Sequence, residues 1–221
     1  MHYIIAVTQF KGGAGKTTLA ISVAAELRRY GKGGVLIDAD PQRSACQWAE
    51  PGHLQFPVYE ITLADQTVLR WVREVNRVAE NYRYVVIDTA PSGRALRAAI
   101  TFGGFVIVPC TPFGLDLEAT VATLEIIEKV RGAPPRTAPF ILVPNRVDAR
   151  TLEGKQLFDE LTGFGEIVSP NIGYRSAFMR AFSAGRTISE LPNGQVGHSE
   201  IQLLCDLVEK RLGAMHRPSK S

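Results

Sequence analysis

The chain has 221 residues, 45% of them hydrophobic and 21% charged, with a formal net charge of +3. That length suits one sizeable domain and is short for two, and no run of eighteen or more apolar residues occurs, which excludes a helical membrane span. Cys46, Cys110 and Cys205 are widely spaced and form no C-x-x-C pair, so a disulfide framework is excluded and a reduced, cytoplasmic setting is expected.

The apolar start "MHYIIAVTQF" lacks a basic n-region and a small-residue cleavage site, so it reads as a buried strand over 3–8 and not as a signal peptide. The glycine-rich stretch "KGGAGKTT" follows, and 16–31 reads as a helix closed by Gly31. Residues 34–40 form a second short apolar run ending in carboxylates, and 56–61 a weaker strand. Over 63–82, Val68, Trp71, Val72, Val75 and Val78 fall at helical spacing. Residues 84–91 and 104–112 are again buried strands with polar or proline punctuation. A helix with a glycine stop is expected over 116–132, and another strand over 140–148. Continuous apolar strands alternating with helices give an α/β fold, a mainly parallel sheet covered by helices on both faces. One domain over 1–213 and a polar tail over 214–221 are expected.

Ligands of such sheets gather at the carboxyl ends of the strands. Here those ends carry the glycine loop, Asp38 and Asp40, Asp88 to Pro91, and Asn145 to Asp148. A glycine turn between strand and helix lets backbone N–H groups surround a phosphate, with the helix dipole adding to the attraction. Gly12, Gly13, Ala14 and Gly15 supply that turn. Lys16 is placed to reach the outer phosphates, Thr17 to ligate Mg²⁺ and Thr18 to touch the inner phosphate. The loop departs from G-x-x-x-x-G-K-[ST], because Phe10 stands where the first glycine belongs and a second lysine, Lys11, precedes the glycine pair. Asp88 ends an apolar strand, as a carboxylate serving Mg²⁺ through water does in phosphate-loop proteins. Asp38 and Asp40, two apart, lie on one side of an extended chain, although capping of the following helix is the alternative for either.

"KGGAGKTT", "LIDADPQ" and "VVIDTAP" resemble the deviant Walker A, Walker A′ and Walker B motifs of the ParA/MinD superfamily, and the likeness extends to "VPCTPFGLDLEA" and "VPNRVD". The nearest branch is that of the small ParF-like ParA partition ATPases. The resemblance implies a P-loop NTPase of the deviant Walker A (SIMIBI) type, a Mg-ATPase with ATP and Mg²⁺ as cofactors. It implies that Lys11 reaches ATP phosphates across a sandwich homodimer and that Lys16 acts beside it. Asp40 would orient the attacking water, Asp38 and Asp88 would join Thr17 in the Mg²⁺ shell, and Asn145 would lie near the adenine.

Charge separates the branches of that superfamily. Residues 1–169 carry 18 basic and 18 acidic groups, whereas 170–221 carry seven basic against four acidic, the whole excess. A ParA-like dimer grips DNA without reading sequence, which needs a basic surface and no base-reading module. Only nine residues precede Phe10, so a helix-turn-helix is not expected there. Arg175, Arg180 and Arg186, in a helix and its exit, are the leading candidates for DNA contact, with Arg211 behind them. The implied partners are a second copy of the chain with ATP bound, non-specific DNA and a ParB- or ParG-like adaptor. The implied task is to partition or position a plasmid, a chromosome region or a protein assembly. Two alternatives stand beside this. A metabolic ATP-dependent carboxylase or synthetase would need a substrate motif that the chain does not display. A MinD-like membrane ATPase would need an amphipathic end, but apolar positions Ile201, Leu204, Val208 and Leu212 read as the core face of a last helix.

Overall fold

The computed structural model describes residues 2–215 apart from 32, 65, 103, 113 and 132–139. Its centre is one six-stranded sheet, β1 (Tyr3–Val7), β2 (Gly34–Asp38), β3 (Val58–Glu60), β4 (Tyr84–Asp88), β5 (Phe105–Cys110) and β6 (Phe140–Pro144). The order is β3-β2-β4-β1-β5-β6, and every pairing is parallel. β2, β4, β5 and β6 are buried from end to end, which explains why they read as unbroken apolar runs.

The pleat distributes these strands between two cores. Tyr84 and Val86 of β4 face one side, with Ile5 and Val7 of β1 and with helices α1 (Lys16–Leu27), α7 (Ser176–Ser183) and α8 (Gln195–Met215). Val85 and Ile87 face the other, against Trp71, Val75 and Ala79 of α3 (Val68–Ala79). Towards β6 that second face is covered through Leu96 and Ile100 of α4 (Gly93–Phe102), Ile127 of α5 (Gly114–Arg131), and Leu157 and Leu161 of α6 (Leu152–Thr162). Each fully buried Val, Leu or Ile side chain contributes about 1.5–3 kcal/mol of transfer free energy.

The helices begin and end for local reasons. α1 is buried almost all round, at Leu19, Ala20, Ile21, Val23, Ala24 and Leu27, so it is wedged between sheet and α8 and shows no polar stripe. It tightens into a 3₁₀ turn over Arg28–Tyr30 and stops at Gly31, whose φ of +134° few other residues adopt. α3 starts at Val68, the first of the residues at helical spacing, because Thr67 caps it by accepting the Arg70 N–H at 3.3 Å. The short α2 (Ser44–Ala49), α4 and α6 have no counterpart in the sequence reading. α8 continues to Met215, its Ile201, Leu204, Cys205, Val208 and Leu212 all buried in the first core. The terminal helix is thus a core helix, as its spacing suggests. The glycine stop expected at 132, and the tail beyond Met215, lie outside the described residues.

Candidate nucleotide site

Pairing in the sheet brings the carboxyl ends of β1, β2 and β4 level: Val7 is in register with Asp88, and Asp38 with Asp88. Past Val7 the chain keeps two more residues buried, Thr8 and Gln9. Gln9 fastens the loop that follows. Its Nε2 donates to the Pro109 carbonyl at 3.1 Å and to Thr120 Oγ1 at 3.2 Å. Its Oε1 accepts from Thr123 Oγ1 at 2.6 Å and from the Phe10 N–H at 2.8 Å. A polar side chain at the end of an apolar strand is the one sequence signal of this clamp.

The loop needs its glycines. Gly13 and Gly15 have φ of +83° and +85°, and Gly15 is the left-handed N-cap of α1. A Cβ on Gly15 would also sit 2.4 Å from Asn145 Nδ2. That amide donates to the Ala14 carbonyl at 2.7 Å, holding the loop against the end of β6. Asn145, 4% exposed, is therefore a brace for the loop as well as part of the cavity wall.

Lys16 is buried and curls back so that Nζ donates to the Lys11 carbonyl at 3.1 Å. Burial lowers its pKa, while Asp88 and Asp40 pull it up. Thr17 Oγ1 donates to Asp88 Oδ2 at 2.6 Å. Asp88 is 1% exposed, and its Oδ1 has no hydrogen-bond partner. Burial pushes the Asp88 carboxyl up to about 7; Asp38 and Asp40 add to the rise, and the Thr17 hydroxyl and Lys16 oppose it. An orphaned carboxylate oxygen behind a threonine hydroxyl, beside a glycine-rich loop, is costly alone and fits a cation that Thr17 and Asp88 would hold.

Asp38 is fully buried. Its Oδ2 accepts the Cys46 N–H at 2.9 Å and its Oδ1 the Asp40 N–H at 3.2 Å. Burial raises its pKa, and those backbone donors pull it back. In this state it ties down the first turn of α2, which is the capping alternative. Asp40 is half-exposed, accepts the Gln42 N–H at 2.9 Å and faces the cavity.

A cavity of about 600 Å³ collects Gly12, Gly13, Gly15, Lys16, Thr17, Thr18, Asp40 and Asn145. Its volume is that of a small-ligand site. Ala14 lies buried beneath the loop, and Asp38 and Asp88 stand behind the wall. Lys11 is not part of that wall. The far wall, which the sequence reading missed, is apolar: Trp48, Tyr174, Phe178, Met179 and Phe182. Arg146, with a left-handed φ of +55°, and Arg175 complete it. The arginines expected at DNA divide here. Arg175 lines the cavity and is paired with Glu200, whereas Arg180, Arg186 and Arg211 are exposed away from it. Cys110 and Cys205 are buried free thiols and Cys46 is half-buried and free. No described helix is long and apolar enough to cross a membrane.

Comparison with known proteins agrees with this geometry. The family described as the CobQ/CobB/MinD/ParA nucleotide binding domain matches residues 5–188. Maintenance of carboxysome distribution protein A of Halothiobacillus neapolitanus is 29% identical over 218 residues, 93% of this chain and 96% of that protein. The protein of the same name from Gloeobacter kilaueensis is 33% identical over 183 residues, 82% of this chain and 78% of that one. Among solved structures, a Cyanothece McdA variant in complex with ATP superposes with a TM-score of 0.70 at 17% identity, covering 96% of each chain, a likeness of fold. The chain belongs to the CobQ/CobB/MinD/ParA nucleotide-binding family, and within it is a ParA-like ATPase.

Proposed function

We propose that this ParA-like ATPase is a nucleotide-switched dimer that grips DNA without sequence preference and positions a cargo, with an adaptor stimulating hydrolysis. The observation that carries the reading is the division of labour between two lysines of one loop. Lys16 is buried in the wall of its own cavity, and Lys11, five residues earlier, is outside that wall. A second lysine on the loop but outside its lining suits the nucleotide of its own subunit less than one held by a partner. Dimerisation then depends on the γ-phosphate, and hydrolysis releases the pair.

Within the site, Gly12 to Thr18 hold the phosphates of ATP. Thr17, Asp88 and Asp38 would hold Mg²⁺. Asp40, on the cavity face, would orient water, and Asn145, which braces the loop, would lie near the adenine. Mg²⁺ supplies neutralisation of charge on the transferring phosphoryl group. DNA contact rests on the exposed arginines, Arg180, Arg186 and Arg211. The protein would work in the cytoplasm on the nucleoid. The relatives named for carboxysome distribution favour a protein assembly over a plasmid as cargo.

The test is retention of unrelated DNA duplexes by an Asp40→Ala variant, with ATP or ADP, over a salt series. Retention with ATP alone, falling as salt rises, is expected. ATP binding without DNA retention at any salt would refute the DNA-gripping reading.

A further inference from the structure

We propose that Arg175, held in place by Glu200 from outside the cavity wall, recognises the sugar or base of the nucleotide. It rests on the nucleotide reading above and deepens it. Arg175 shares a wall with the phosphate loop, yet its side chain is built into the fold. Nε donates to Glu200 Oε2 at 3.0 Å and Nη2 to Glu200 Oε1 at 2.5 Å, a two-pronged pair from α8. Glu200 Oε2 also accepts the Gly173 N–H at 3.1 Å, which ties the strand-like approach to Arg175 to the same carboxylate.

Two glycines clear the slot. A Cβ on Gly173 would lie 3.0–3.1 Å from the guanidinium atoms of Arg175. One on Gly197, in the first turn of α8, would lie 3.4 Å from Arg175 Cδ and 2.4 Å from Ile188 Cδ1. Neither glycine has a positive φ, so space and not backbone freedom is what each supplies. This gives a role to the stretch 190–201, which no motif explains. Gly194, whose Cβ would meet the Ile188 carbonyl, and Gly197 let α8 start hard against the preceding turn, and Glu200 is delivered to Arg175.

The charge arithmetic selects the ligand. The side chains of Arg175 and Glu200 are 35% and 18% exposed, and together they are neutral. A neutral pair contributes little to attracting a triphosphate or a DNA backbone, which Lys16 and the loop N–H groups, or exposed arginines, do better. Nη1, which takes no part in the pair, is a positioned donor whose charge Glu200 offsets, suited to a ribose hydroxyl or a ring nitrogen. Beside it, Tyr174, Met179 and Phe182 offer the cavity side chains that are 61%, 56% and 45% exposed, an apolar wall for a flat ring.

The experiment compares Mg-ATP with Mg-tripolyphosphate, which has the phosphates and no nucleoside, by calorimetry on the full chain. Arg175→Met is expected to weaken ATP by about tenfold or more, the worth of one charge-assisted hydrogen bond, and to leave tripolyphosphate unchanged. Its preference among ATP, GTP and CTP should narrow. Arg175→Lys should not restore it, because a point-like ammonium lacks the planar fork that grips Glu200 along one edge and keeps a further donor on the other. If Arg175→Met does not fold, Glu200→Gln serves. It keeps the arginine and frees its charge, so ATP should weaken while tripolyphosphate holds or tightens. Equal losses for both ligands, or none for either, would overturn the assignment. So would unchanged ATP binding with loss of salt-dependent DNA retention, which would give Arg175 to the DNA surface. A wild-type chain that binds neither ligand would overturn the nucleotide reading itself.

Discussion

Asp88→Asn separates the electrostatic cost of the site from its function. Burial pushes the Asp88 carboxyl up to about 7 from an ordinary 3.8. A group whose folded pKa is raised holds its proton more tightly in the folded state. Its contribution to stability is therefore full below about pH 4 and is lost as pH rises from there to about 7. Over that interval of about 3 units, at about 1.4 kcal/mol each, the loss amounts to about 4 kcal/mol. Asparagine has no such slope. It keeps an oxygen for the Thr17 hydroxyl, but its amide takes the place of the Oδ1 that has no partner. That unsatisfied amide costs about 1–3 kcal/mol at every pH. Burial of charge wins at high pH and the stranded amide at low pH, so the two stability curves must cross. Urea unfolding of both proteins with chelator, from pH 4.5 to 8, measures this. The difference should move in favour of Asp88→Asn by about 1.4 kcal/mol per unit and flatten above about pH 7. A difference independent of pH would refute the reasoning, because it would mean that Asp88 is ionised throughout.

Two further substitutions test the loop. Gly15→Ala forces φ of +85° on a residue with a Cβ and drives that Cβ into Asn145, which strands the Ala14 carbonyl. Strain and the lost bond together should cost about 2–5 kcal/mol in urea unfolding, with ATP binding abolished. Gln9→Ala removes the clamp to Pro109, Thr120 and Thr123 while Phe10 N–H keeps Thr123 Oγ1 at 3.2 Å. A loss of about 1–3 kcal/mol in stability, with ATP binding weakened though every phosphate ligand is intact, is the expected result.

What the sequence makes legible follows from how local each signal is. Strands buried on both faces appear as unbroken apolar runs, so β2, β4, β5 and β6 stand out, and the carboxylates at the ends of β2 and β4 are placed by the same fact. The phosphate loop is a contiguous motif and is read directly. α2 is only six residues long and starts from an arginine with φ of +56°, so it gives neither periodicity nor a capping signal. The Asp38 carboxylate supplies its cap from outside the helix. Charge counting placed Arg175 with the exposed arginines, because a net excess over 170–221 cannot register that Glu200 folds back onto it from 25 residues away. The apolar wall joins Trp48 of α2 to Tyr174, Phe178, Met179 and Phe182 in and just before α7; that one helix faces the phosphate loop is decided only by the folding of the whole sheet.

The proposed closing of a dimer by ATP through Lys11 is read most directly by sedimentation velocity. Asp40→Ala, expected to be slow in hydrolysis, should sediment as a dimer with Mg-ATP and as a monomer with Mg-ADP. Asp40→Ala/Lys11→Ala should bind Mg-ATP and remain a monomer. A dimer that forms with ATP in the absence of Lys11, or a monomer in every nucleotide state, would contradict the account.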